Sequence, residues 1–318
     1  MKPTEVTAVT AVEAAVAETP VIAAPAIDAV AAPREYTLFQ DLVMLTKARL
    51  TMLVLVTTAI GFLFGSGRVD WFLFFRVVFG TAFVASGASV LNQYLERNVD
   101  RLMHRTQDRP LPAGRMSPGT ALGLGVLLGV AGVIYLTNRV SPLCAELAGG
   151  TLFLYVAIYT PLKRKSAWCV TVGAVSGAIP PVVGWAAATG RLGAGAWILF
   201  GILFFWQMPH FLALAWMYRD EYAQAGFSML RRGDITGAKA AGESLLCAIA
   251  LTIVTLLPVF LHLAHLIYAP VALLCDAGLL CCAGFFLSQR NRDSARRLFL
   301  SSILYLPLVL ALLAICRR

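Results

Sequence analysis

Nine stretches of this chain stay apolar long enough to cross a bilayer, and that property constrains the fold more than any motif does. A spanning helix needs about 17 to 25 apolar residues. Runs of that length lie at 42–64, 71–93, 118–137, 143–161, 167–189, 194–217, 240–262, 266–288 and 297–316. Inside lipid each backbone N–H and C=O must find its partner within the segment, so such runs fold as helices. The expected fold class is all-α, a polytopic membrane bundle of about nine transmembrane helices with the lipid bilayer as its solvent. Composition agrees, with 59% of the residues hydrophobic and 14% charged, where a soluble domain carries roughly 25% charged residues.

Nine crossings put the N-terminal segment and the loops after the second, fourth, sixth and eighth runs on one face. That face holds all but six of the 26 Lys and Arg, the exceptions being Arg68, Arg76, Arg139, Arg191, Arg317 and Arg318. The positive-inside rule makes the basic face cytoplasmic, with the N-terminus inside. The net charge of +9 then reports topology, and no nucleic-acid partner is expected. Residues 1–35 are rich in Ala, Val, Thr and Pro with scattered acids (Glu5, Glu13, Glu18, Asp28). They read as a disordered tail rather than a secretory signal, ahead of a transmembrane domain over 36–318. The seven cysteines fall within the apolar runs and none has Cys-x-x-Cys spacing, which points to packing rather than to a metal cluster or a disulfide framework.

Topology explains the sign of the charge on the basic face but not its pattern. Where the second run leaves the membrane, Asn92, Glu96 and Asp100 recur every fourth residue, followed by Arg105-Thr106-x-x-Arg109-Pro-Leu-Pro. Positions four apart on a helix stand within about 40° of each other, so the three side chains stack as oxygen donors along one face. Two carboxylates and an amide are hard ligands suited to Mg²⁺, which completes its shell with water and substrate phosphates. Arg105 and Arg109 are placed to meet a phosphate bidentately. The plainer reading is a solvated helix end with Glu96 paired to Arg97 or Asp100 to Arg101.

This stretch resembles the first motif of the intramembrane aromatic prenyltransferase superfamily, an Asn-x-x-x-Asp-x-x-x-Asp helix. Glu in the middle position and the Arg-Thr-x-x-Arg-Pro-Leu-Pro continuation look like its haem O synthase (protohaem IX farnesyltransferase) branch. After the fourth run, Tyr159-Thr-Pro-Leu-Lys163-Arg164-Lys165 is similar to the superfamily's short diphosphate loop. Pro180 and Pro181 in the fifth run are expected to bend or break its helix, within a Gly-Ala-Ile-Pro-Pro-x-x-Gly-Trp segment that also looks like that branch. Around the end of the sixth run, Trp206-Gln-Met-Pro-His210-Phe and Asp220-Glu221-Tyr222-Ala-Gln-Ala-Gly226-Phe-Ser-Met229 resemble its second signature, with Ser228 where the pattern has Pro.

The resemblance implies transfer of a farnesyl group from farnesyl diphosphate to a vinyl group of haem B, with Mg²⁺ as cofactor. It implies a bacterial inner-membrane location and haem A synthase as a downstream partner. Asn92, Glu96, Asp100, Asp220 and Glu221 become metal candidates. Arg105, Arg109, Lys163 and Arg164 become diphosphate-binding candidates, with Asp100, Lys163 and Arg105 catalytic. Trp206 and His210 become the haem-side wall. Within the same fold the acceptor could instead be a quinone precursor or a chlorophyll-type ring. A secondary transporter is the reading from another class, although its polar groups would gather near the midplane rather than at one face. Asp276, inside the eighth run, is expected to pair locally.

Overall fold

The first apolar run does not fold as one helix. Helix α1 (Leu38–Leu45) stops, Lys47 adopts the left-handed backbone with φ 48°, and α2 (Ala48–Gly65) begins. A side-chain-bearing residue resists that conformation by about 1–2 kcal/mol, so the break is held by its surroundings. The span read at 42–64 is therefore corrected to a membrane helix from Ala48, preceded by a short helix. Asp41 of α1 is buried and accepts hydrogen bonds from the Arg115 guanidinium at 2.8, 3.0 and 3.2 Å, which fastens α1 to the loop over residues 101–117.

The computed structural model describes residues 36–318, and Leu38–Arg318 form one compact unit. The tail expected over 1–35 lies outside the described residues. Beyond α2 the chain runs through α3 (Trp71–Asp100), α4 (Pro118–Arg139), α5 (Pro142–Leu162), α6 (Trp168–Thr189) and α7 (Ala194–Met217). A short α8 (Arg219–Gln224) precedes α9 (Ala238–Phe260), α10 (Tyr268–Gln289) and α11 (Arg292–Ile315). Among the described residues nine helices are long and apolar enough to cross a membrane, and the protein is a multi-pass membrane protein. Several starts are set by side-chain caps that accept the free first-turn N–H groups. Asp70 caps α3, Ser117 and Ser141 cap α4 and α5 with Pro at the next position, and Asn291 makes a capping box for α11.

Each long helix packs on its chain neighbour, and α11 returns to α2 to close the ring. Helices α6 and α7 are innermost, with 67% of their apolar windows buried against 22–44% for the other seven. The outer seven correspondingly leave many apolar residues exposed on their outer faces, Phe72, Leu127, Ile253 and Leu274 among them.

The paired prolines do not break α6, which continues as one helix through Pro180 and Pro181. Each proline removes a backbone donor, and close packing offsets the loss. A Cβ on Gly61 would overlap the Pro181 carbonyl and one on Gly184 the Thr58 carbonyl, so α2 and α6 meet backbone to backbone. From α7, Gln207 donates to the Ala174 carbonyl of α6 at 3.4 Å.

In α5 the turn Leu154–Tyr159 is a π-helix before α-helical bonding resumes at Thr160. A π turn inserts extra backbone and rotates the residues C-terminal to it about the helix axis. Those residues are Thr160, Lys163 and the loop to α6.

Candidate active site

Asn92, Glu96 and Asp100 lie in the last turns of α3 and all three are buried, at 0%, 7% and 2% relative exposure. Polar groups so far from water require partners, and each has one from a different part of the chain. The Lys47 ammonium donates to Asn92 Oδ1 at 2.5 Å. Lys163 donates to Glu96 Oε1 at 2.7 Å. Arg109 donates to Asp100 Oδ2 at 2.6 Å. The left-handed turn at Lys47 thus delivers its side chain from the α1–α2 break, the π turn of α5 precedes Lys163, and the loop after α3 folds Arg109 back.

A second layer orients this set. Asn92 Nδ2 donates to Thr160 Oγ1 at 3.0 Å, and that hydroxyl donates to the Tyr155 carbonyl at 2.8 Å. Thr106 Oγ1 donates to the Asp100 carbonyl at 2.8 Å, fixing the loop that carries Arg105 and Arg109. Gln93 donates to the Met44 and Leu45 carbonyls and anchors the end of α1. The Lys163 ammonium lies 4.6 Å from the Tyr159 ring centroid, within reach of cation–π attraction.

Electrostatics differ between the two lysines. Burial, reinforced by the nearby Arg109 and Lys163 charges, pulls the Lys47 ammonium down to about 7. Burial also opposes charge on Lys163, yet Glu96 and the neighbouring tyrosines outweigh it and raise that group above the ordinary lysine value. The two lysines thus shift in opposite directions, Lys163 upward beside its carboxylate and Lys47 downward beside an amide.

Of the other sequence-derived candidates, Arg105 is exposed at the rim, and its Nη2 donates to the Tyr222 hydroxyl of α8 at 3.1 Å. That contact ties the loop after α3 to the segment after α7. Arg164 is exposed. Asp220 and Glu221 are also exposed, with Asp220 3.7 Å from its neighbour Arg219. The turn of α8 that points Tyr222 inward points these two acids outward, and the structure does not bring them to the α3 cluster.

Trp206 and His210 lie deeper, on the α11 side of α7. The Trp206 indole N–H donates to the Ser302 carbonyl at 2.7 Å, and His210 Nδ1 is 2.8 Å from Ser302 Oγ. The His210 ring stacks between Trp206 and Phe299, with centroids 4.9 and 4.7 Å away. Asp276 accepts from the Tyr305 hydroxyl at 2.6 Å, a local pair remote in sequence from the basic loops.

In the sequence Lys47 is only one of the basic residues of one face, with nothing to mark it as a site residue. Its partner lies 45 residues away, so spacing carries no trace of the contact. Thr160 and Tyr222 go unmarked for the same reason.

Chemically, the mouth of the bundle offers two carboxylates and an amide, with one more cationic side chain than carboxylate around them. Among the described residues no three His, Cys, Asp or Glu side chains converge, so this is no self-sufficient metal cage. It is the open, oxygen-rich kind of set that Mg²⁺ shares with substrate phosphates.

A membrane bundle with hard oxygen donors and fixed cations at one mouth is the architecture of an intramembrane prenyltransferase. Residues 54–306 match the model of the UbiA prenyltransferase family, and the chain belongs to that family. It is 43% identical over 286 residues to the protoheme IX farnesyltransferase of Opitutus terrae, covering 90% of this chain and 97% of that relative. Among solved structures it shares its fold with digeranylgeranylglyceryl phosphate synthase, at a TM-score of 0.76, 16% identity and coverage of 87% and 98% of the two chains. It is similar in the same way to a UbiA homologue from Archaeoglobus fulgidus bound to DMAPP and Mg²⁺, at a TM-score of 0.64, 16% identity and coverage of 86% and 99%.

Proposed function

We propose that this protein transfers the farnesyl group of farnesyl diphosphate to a vinyl carbon of protohaem IX, haem B, and so makes haem O. The observation that carries the reading is the buried set of Asn92, Glu96 and Asp100, each engaged by a cation from a different segment. The acceptor rests on the relative from Opitutus terrae, whose likeness runs almost end to end.

The donor set fits a divalent metal. Its members are hard oxygens on one helix face, each accepting from an ammonium or guanidinium group. Asn92, Glu96 and Asp100 would hold Mg²⁺, which when bound would offset charge on the departing diphosphate. Lys163 and Arg109, beside those carboxylates, and Arg105 at the rim would supply the cationic donors for the diphosphate oxygens. Lys47 stands beside them, where an approaching polyanion favours its ammonium form. The apolar interior beneath shields the allylic cation from water. The C1–O bond breaks as the vinyl carbon attacks C1, water adds to the neighbouring carbon, and its proton leaves to solvent or diphosphate. No nucleophilic side chain takes part.

The basic loops face the cytoplasm of a bacterial inner membrane in this reading, and haem A synthase would take the product onward. Membranes containing the protein, given farnesyl diphosphate, haem B and Mg²⁺, should yield haem O by mass spectrometry of extracted haem. Addition of EDTA should abolish it. Prenylation of an aromatic acid or a chlorophyll-type ring instead, with haem B unchanged, would overturn the acceptor assignment.

A further inference from the structure

Outside the α3 cluster, on the same basic face, a cavity of about 380 Å³ opens between the start of α6, the end of α7 and the loop before α9. Its wall is apolar, formed by Val170, Met208 and Leu212. Its rim is cationic, with Lys165, Arg231 and Arg232 against a single acid, Glu243, which pairs with Arg231. The indole of Trp168 is 64% exposed at its edge. We propose that this cleft seats the porphyrin acceptor, its carboxylates on Lys165 and Arg232 and its ring against the apolar wall. This rests on the functional reading above and deepens it by giving the acceptor a place.

Three observations converge on that occupant. The volume falls within the range of small-molecule pockets, and a flat apolar body with two carboxylates at one end matches a wall of Val, Met and Leu below a basic rim. Arg231 is already paired with Glu243, and Lys165 and Arg232 form no ion pair among the described residues, which leaves two cations for two propionates. The cleft also abuts the diphosphate site. The Ser228 N–H at its lip donates to the Lys163 carbonyl at 2.7 Å. Its wall residues pack in one cluster with Tyr159, whose ring lies beside the Lys163 ammonium.

Protohaem carries its vinyl groups on the edge opposite its propionates. Propionates held at the rim therefore turn a vinyl edge inward, towards Tyr159 and the diphosphate cluster. Met208 and Leu212 are four apart on α7 and line the cleft, whereas Trp206 and His210 contact Ser302 of α11. The acceptor seat and the His210 stack thus use different faces of α7.

The test uses the full chain in zwitterionic nanodiscs, titrated with haem B and followed at the Soret band. The double reversal Lys165→Glu with Arg232→Glu should weaken haem B binding about tenfold or more, as loss of charge-assisted contacts does. It should raise KM for haem B and leave KM for farnesyl diphosphate unchanged. Haem dimethyl ester should bind the wild type as weakly as haem B binds the variant. Leu212→Trp, which fills the cleft without touching charge, should also weaken haem B binding. Unchanged haem B affinity in both variants would overturn the seat. A parallel rise in KM for farnesyl diphosphate would assign the rim to the diphosphate, and altered retention of phosphatidylglycerol with unchanged haem B affinity would assign it to lipid. Wild-type protein that binds no haem B and prenylates another acceptor would instead overturn the functional reading.

Discussion

Asp100 and Asp276 are both buried acids in apolar helices, at 2% and 1% exposure, and their surroundings divide site from scaffold. Asp100 closes α3 at the bundle mouth, paired to Arg109 and close to Glu96, Lys163 and Lys47. Asp276 lies well inside α10, where its side chain accepts from the hydroxyl of Tyr305, itself 3.1 Å from Thr255 of α9. Its other oxygen and the Tyr268 hydroxyl are buried without a hydrogen-bond partner among the described residues. An acid ringed by exchangeable cations has something to hand over when an anion and a metal arrive. An acid bonded to one hydroxyl ties three helices together.

Isosteric amides sharpen this contrast. Asp100→Asn keeps the shape but removes the charge on which Arg109 and a metal both depend, and haem O formation should fall by about a hundredfold or more while the protein still elutes as a folded species. Activity retained within a few-fold would break the assignment of Asp100 to the metal. Lys163→Met comes next. It leaves Glu96 buried without its cation and removes a diphosphate donor, so turnover should drop by about ten- to a hundredfold, with KM for farnesyl diphosphate raised. A loss confined to KM for haem B would place Lys163 on the acceptor instead.

Asp276→Asn should leave haem O formation within about threefold of wild type, since the amide oxygen still accepts from Tyr305 and its NH₂ supplies a donor to a region short of partners. Asp276→Ala should lower thermal stability by about 1–3 kcal/mol through loss of the buried Tyr305 hydrogen bond and the space left by the side chain, with Thr255 remaining as a partner for that hydroxyl, again with little change in turnover. A collapse of activity in the asparagine variant, with the fold intact, would make Asp276 a functional acid and dissolve the comparison.

Much of this is legible in the sequence where the determinant is local. Apolar run length places eight membrane spans close to the helices observed, and the four-residue recurrence of Asn92, Glu96 and Asp100 marks the buried face of α3. The first span is misjudged because the break at Lys47 is imposed by tertiary contacts, against that residue's own backbone preference. That α6 runs unbroken through its two prolines depends on glycines of α2 and α6 that allow backbone contact, which no single-helix argument contains. The meeting of Lys47 with Asn92 and of Arg105 with Tyr222 joins segments dozens of residues apart, which no spacing encodes.

The smallest expected effect concerns the acids after α7. Asp220 and Glu221 carry the same chemistry as Glu96 and Asp100, and on sequence they resemble a second metal half. Asp220, however, is 81% exposed, with Arg219 as its near neighbour, and an exposed pair of that kind contributes little. Water already solvates these carboxylates, so removing them orphans no cation. The double variant Asp220→Ala with Glu221→Ala should therefore keep haem O formation and KM for farnesyl diphosphate within about twofold of wild type, as surface changes usually do. A loss beyond tenfold, reversed by raising Mg²⁺, would mean that α8 turns over on substrate binding and brings its acids to the diphosphate. The Arg105–Tyr222 contact would then be the hinge of that motion, because through it the loop after α3 holds α8 by a side-chain hydrogen bond.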